Sequence, residues 1–105
     1  MRIVVAVAAA AALALAHGAI AAEAGETLAK NNGCFACHAI DKKLVGPGYK
    51  EIQAKYRNDK AAESNLFKKV KEGGKGVWGD VPMPPNAHVK DADIKTVVQW
   101  ILKLK

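Results

Sequence analysis

Arginine is almost absent from the 105 residues, appearing at Arg2 and Arg57. The net charge of +6 is therefore a lysine excess spread along the chain. Without an arginine cluster it does not read as a nucleic-acid surface. Cysteine is limited to Cys34 and Cys37. One pair closes at most one disulfide, which excludes a disulfide-stapled framework. No second cluster of cysteine and histidine follows to complete a structural zinc site. No apolar run reaches the ~20 residues of a transmembrane helix. The longest, Ile3 to Ala16, is mostly alanine. Strand alternation, internal repeats and a βαβ pattern are missing too, and with them the setting for a thioredoxin-like dithiol.

What is present begins with an export signal. Met1-Arg2 is a short basic segment, Ile3 to Ala16 is apolar, and Gly18, Ala19, Ala21 and Ala22 are small. This is the three-part layout of a secretory signal peptide, with cleavage after Ala21 or Ala22. The expected organisation is residues 1–22 as signal and 23–105 as one domain of 83 residues, 105 less 22. His17 leaves with the signal. Arg2 is the one charged residue removed, so the remainder carries +5 with histidines neutral. A domain this short sits near the lower limit for a self-sufficient core and needs a staple.

The staple is legible in Cys34-Phe35-Ala36-Cys37-His38. The pattern C-x-x-C-H is that of c-type haem attachment. Two thiols at this spacing add across the two vinyl groups of one haem to form thioethers. The adjacent histidine then offers a neutral imidazole to the iron. A simple disulfide or a zinc site leaves either His38 or the fourth ligand unexplained. A large apolar plate held covalently supplies the core that the short chain lacks.

The rest of the chain reads as helix and loop. Ala24 to Asn32 is expected as a first helix with Leu28 as its main apolar residue, ended by Gly33. Gly46-Pro47-Gly48 makes Asp41 to Gly48 a loop. Tyr49, Ile52 and Tyr56 share a helical face, as do Leu66, Phe67 and Val70 in an expected helix Ala61 to Glu72. Val77 to Lys90 is irregular, with Pro82, Pro84 and Pro85 restricting its backbone. Asp91 to Leu104 carries the clearest apolar stripe, Ile94, Val97, Val98, Ile101 and Leu104. Acidic residues open this helix, and Lys103 and Lys105 close it, matching the helix dipole. The fold class is all-α.

The iron's second ligand is read as Met83, the sole methionine after residue 22, held between Pro82 and Pro84 and 45 residues beyond His38. An ordinary packed methionine is the bland alternative. His88 is the rival ligand, otherwise a surface histidine. Trp78 carries a lone indole donor that wants an acceptor when buried. A haem propionate is the nearby candidate, and Lys69 is able to approach the same acid if it is not simply on a solvated helix face. The Pro47 carbonyl is free to accept from His38 Nδ1 and fix the tautomer. Trp100 and Phe35 read as core.

These stretches together resemble a small bacterial class I c-type cytochrome of the c-551 kind. The resemblance rests on Gly33 to Asp41, Val45-Gly46-Pro47, Gly76-Val77-Trp78-Gly79 and Pro82-Met83-Pro84-Pro85-Asn86. It implies four to five short helices around one haem c, thioethers at Cys34 and Cys37, and iron ligands His38 and Met83. It also implies that Pro47 accepts from His38, that Trp78 meets a propionate and that Asn86 supports the methionine loop. Lys69 stands where relatives often carry arginine, and Asp80 where proline is often found. The implied function is electron carriage in the periplasm by a monomer without stable membrane association. The implied partners are redox proteins such as nitrite reductase, a cytochrome oxidase or a quinol-cytochrome c reductase. With both axial positions filled, an enzyme is not expected. The alternatives from other classes are a haem-based gas sensor or small peroxidase with a labile Met83, and a haem-free thiol-disulfide protein.

Overall fold

The computed structural model describes residues 23–105, and the expected export signal lies outside them. Helix α1 covers residues 23–31 at the start of the described chain. A short 3-10 turn, Cys34–Ala36, follows, and then α2 (Tyr49–Tyr56), α3 (Ala62–Glu72) and α4 (Asp91–Leu102). The described residues contain no strand, only isolated bridges between His38 and Lys43 and between Gly74 and Met83. The all-α expectation therefore holds.

Local chemistry explains the boundaries. Gly48 precedes α2, and its N–H donates to Glu51 Oε1 at 3.1 Å, closing the first turn. Gly73 ends α3 with φ +74°, and its N–H bonds to the Lys69 carbonyl at 2.8 Å. Helix α3 starts at Ala62, one residue later than expected. Helix α4 stops at Leu102 rather than Leu104, because Lys103 N–H turns back to the Trp100 carbonyl at 3.1 Å. No cation therefore lies in the last turn of α4. At its other end Lys71 pairs with Asp91 at 2.8 Å and also donates to the Val89 carbonyl at 2.8 Å, tying α3 to the start of α4.

Helix α4 is the element the others pack on. Its Ile94 and Val98 are completely buried, and Val97, Trp100 and Ile101 nearly so. Truncating Ile94 to alanine would cost about 2–5 kcal/mol. Leu104, beyond the helix end, is half-buried. Against α4 stand α2, through Tyr49 and Ile52, and α3, through Leu66, Phe67 and Val70. Helix α1 brings its Gly25 and Ala29 face to the same core, with Leu28 only half-buried. The small residues matter because a Cβ on Gly25 would overlap Trp100. Close approach at Gly25 docks α1 together with the packing of Leu28 against the core.

Candidate functional site

A cleft of about 200 Å³ opens between these helices and the irregular segments. It is far larger than the ~10–15 Å³ cavity that one water molecule needs. Its floor is the apolar face of α4, with Ile94, Val97, Val98 and Ile101 lining it.

One wall is the C-x-x-C-H segment. Gly33, in the left-handed region at φ 76° and ψ 10°, ends α1 and starts the 3-10 turn. Cys37 and His38 then both donate backbone N–H to the Cys34 carbonyl, at 3.2 and 3.0 Å. This tight turn puts Cys34, Cys37 and His38 on one side of the cleft, with both thiols unpaired. Burial pushes the Cys34 thiol above its ordinary value, and hydrogen bonding with the Tyr49 side chain acts in the opposite direction.

His38 is 8% exposed and held from several sides. Its Nδ1 lies 2.7 Å from the Pro47 carbonyl oxygen. Since a carbonyl only accepts, Nδ1 carries the proton, and Nε2 is the nitrogen left with a lone pair. Gly46 stands against the ring: a Cβ there would come within 2.7 Å of His38 Cε1. Tyr49 stacks on the imidazole with ring centroids 5.1 Å apart and planes 18° from parallel. Neither Gly46 nor Tyr49 stands out in the sequence as a site residue. The signal was their closeness to Pro47: Gly46 precedes it in a loop that its N–H fastens to the Cys37 carbonyl at 2.8 Å, and Tyr49 opens α2 two residues after it.

The segment after α3 supplies the other wall. Met83 lines the same cleft as the two cysteines and His38. Its N–H donates to the Gly74 carbonyl at 2.7 Å and its carbonyl accepts from Gly74 N–H at 3.1 Å. Asn86 ties the loop to the end of α3. Its backbone N–H reaches the Val70 carbonyl at 3.0 Å, and its Nδ2 lies 3.2 Å from the same oxygen and 3.3 Å from the Pro84 carbonyl. His88 is exposed and does not line the cleft.

Lys69 and Trp78 also line the cleft. Lys69 is half-buried, with its ammonium beside Gly74: a Cβ there would be 2.5 Å from Nζ. Trp78 is 39% exposed, at the rim rather than in the core. The ammonium of Lys55 on α2 sits 5.5 Å from the Trp78 ring centroid, within cation–π range. Val45, Val77 and Val81 continue this rim, 47–65% exposed. Trp100 is buried and Phe35 half-buried, both in the core as expected.

The donor set fits a covalently held haem. Two free thiols, an imidazole with Nδ1 already engaged and a thioether line one apolar cleft. A zinc site fits poorly, because no group of three or more His, Cys, Asp or Glu among the described residues is placed to hold a metal.

Comparison with known proteins agrees. The cytochrome c family profile matches residues 22–105. Cytochrome c-551 of Allochromatium vinosum is 57% identical over 77 residues, covering 73% of this chain and 82% of that protein. Cytochrome c-551 of Pseudomonas aeruginosa is 52% identical over 91 residues, covering 87% and 86%. The crystal structure of Nitrosomonas europaea cytochrome c552 superposes with a TM-score of 0.74 at 51% identity, covering 76% of this chain and 99% of that one. With the motif, the cleft and the fold in agreement, the chain belongs to the cytochrome c family, as a small class I electron-carrier cytochrome of the c-551 type with one haem c bound covalently through Cys34 and Cys37.

Proposed function

We propose that the protein is an exported, periplasmic one-electron carrier with His38 and Met83 as the axial ligands. The observation that carries this reading is the position of Met83 in the cleft that holds the C-x-x-C-H wall, its backbone fastened to Gly74 through both of its hydrogen-bonding groups. When bound, the haem supplies a reversible iron-centred electron. The chain's own residues do the rest. Cys34 and Cys37 would fix the group in place, His38 would offer it Nε2 with the tautomer held by Pro47, and the prolines around Met83 would keep the thioether in position. Lys69 and the Trp78 indole N–H would serve the propionates, and Asn86 holds the Met83 loop to α3.

With His38 and Met83 both holding the iron, no position would be left for substrate or oxygen, and the role would be electron transfer rather than catalysis. Electrons pass at the apolar rim of Val45, Val77, Trp78 and Val81, where a redox protein docks weakly and briefly. The lysine excess favours an acidic partner surface. Among the described residues no helix is long and apolar enough to cross a membrane. The partners proposed are a donor of the quinol-cytochrome c reductase class and an acceptor such as nitrite reductase or a cytochrome oxidase. The experiment is carbon monoxide added to the reduced protein at neutral pH. No rapid spectral change is expected. A rapid change would mean an open or labile sixth position, and the gas-sensor or peroxidase reading would replace this one.

A further inference from the structure

Two backbone hydrogen bonds fasten the start of α2 to the residues just after His38. Tyr49 N–H donates to the Ala39 carbonyl at 2.9 Å and Lys50 N–H to the Ile40 carbonyl at 2.9 Å. This strap places the Tyr49 ring beside the imidazole. Tyr49 is 3% exposed, and its ring is itself held edge-on by two aromatic neighbours. Phe35 meets it at 5.7 Å and 89°, and Trp100 at 5.3 Å and 72°. Two near-perpendicular or steeply tilted contacts of this kind fix a ring's plane as well as its place.

A hydrogen bond from Nδ1 fixes one line through the imidazole. Because an N–H···O bond tolerates roughly 30° of bending, it alone still lets the ring tilt. A second contact, against the ring face, narrows the plane further. Tyr49 supplies it at 5.1 Å and 18°, and Gly46 crowds the ring closely enough that a Cβ would come within 2.7 Å. We propose that Tyr49 is a positioning residue that sets the plane of the His38 imidazole. This rests on the reading of His38 as an axial ligand. The plane of an axial imidazole determines its π overlap with the metal orbitals. Tyr49 would therefore govern the magnetic anisotropy of the oxidised protein while touching neither iron nor haem iron ligand bonds.

The test uses the haem-loaded protein with Tyr49→Phe and Tyr49→Leu. Phenylalanine keeps the stacked ring and loses the hydroxyl; leucine loses the ring. Two readouts are followed: the g-values of the frozen oxidised protein, and the exchange rate of His38 Nδ1–H in the reduced protein by NMR. Tyr49→Leu is expected to shift the g-values and to speed Nδ1–H exchange by tenfold or more, with Tyr49→Phe close to the parent. Parent-like values in Tyr49→Leu would overturn the assignment. So would a Tyr49→Phe variant as altered as Tyr49→Leu, since the hydroxyl rather than the ring would then be responsible. If Tyr49→Leu does not fold, the parent decides: nuclear Overhauser contacts between the Tyr49 and His38 rings support the proposal and their absence refutes it. A high-spin spectrum in the parent would instead refute His38 and Met83 ligation, so the two readings fail in different ways.

Discussion

No side-chain atom fits between Gly73 and Met83. A Cβ on Gly73 would lie 2.5 Å from the Met83 carbonyl oxygen, 2.9 Å from Pro85 N and 3.0 Å from the Pro84 carbonyl carbon. All three are backbone atoms of a proline-stiffened loop, so none yields cheaply. Gly73 also has φ +74°, which disfavours any Cβ.

Gly73→Ala is therefore expected to cost about 1–3 kcal/mol from the left-handed backbone alone. The displaced loop should also carry Met83 away from its position. The check is thermal unfolding of the oxidised protein, together with the weak far-red absorption expected of a ferric haem with a thioether ligand. Both should fall.

Asn86→Ala removes the two bonds from Nδ2 to the Val70 and Pro84 carbonyls but keeps the backbone bond to Val70. At ~0.5–1.5 kcal/mol for each bond, stability should drop by about 1–3 kcal/mol. A loosened loop should also let added imidazole displace Met83 at lower concentration. Titration of the oxidised protein with imidazole measures this, and an unchanged midpoint would mean that Asn86 does not support the ligand.

Much of this was readable in the sequence because it is local chemistry. Tyr49–Tyr56 has its predicted bounds, since Gly48 and Glu51 define its start within four residues. The motif and the proline-flanked Met83 were equally plain. The stacking of Tyr49 on His38 was not, because periodicity places Tyr49 on a helix face without saying what meets that face. The exposure of Trp78 and its Lys55 neighbour depend on how α2 sits against the glycine-rich loop, which no short-range pattern encodes. The Lys71–Asp91 pair joins residues on different helices, and the early end of α4 is a local turn in which Lys103 N–H bonds back to the Trp100 carbonyl, a choice the apolar stripe does not encode.

Met83→His exchanges a soft, weakly donating thioether for a stronger imidazole donor, which favours the oxidised iron. The reduction potential should fall by on the order of 100 mV, a modest part of the roughly 0.8 V that axial ligands span. Potentiometry of the variant reads the shift. A parent-like potential with an intact far-red band would remove Met83 from the ligand set.

Val81 is 65% exposed at the cleft rim. Val81→Glu should leave stability within about 0.5 kcal/mol, as for most surface changes. It should nevertheless slow electron exchange with an acidic partner by roughly tenfold, equivalent to about 1.4 kcal/mol at docking. Stopped-flow rates at low and high salt test this. The deficit should shrink as salt screens the added charge.

The most direct test of the whole account is the absorption spectrum of the purified protein in both oxidation states. The account predicts sharp α and β bands on reduction and a low-spin oxidised spectrum with the weak far-red band of thioether ligation. A spectrum without haem absorption, or an oxidised form that is high-spin with an open iron position, would contradict it.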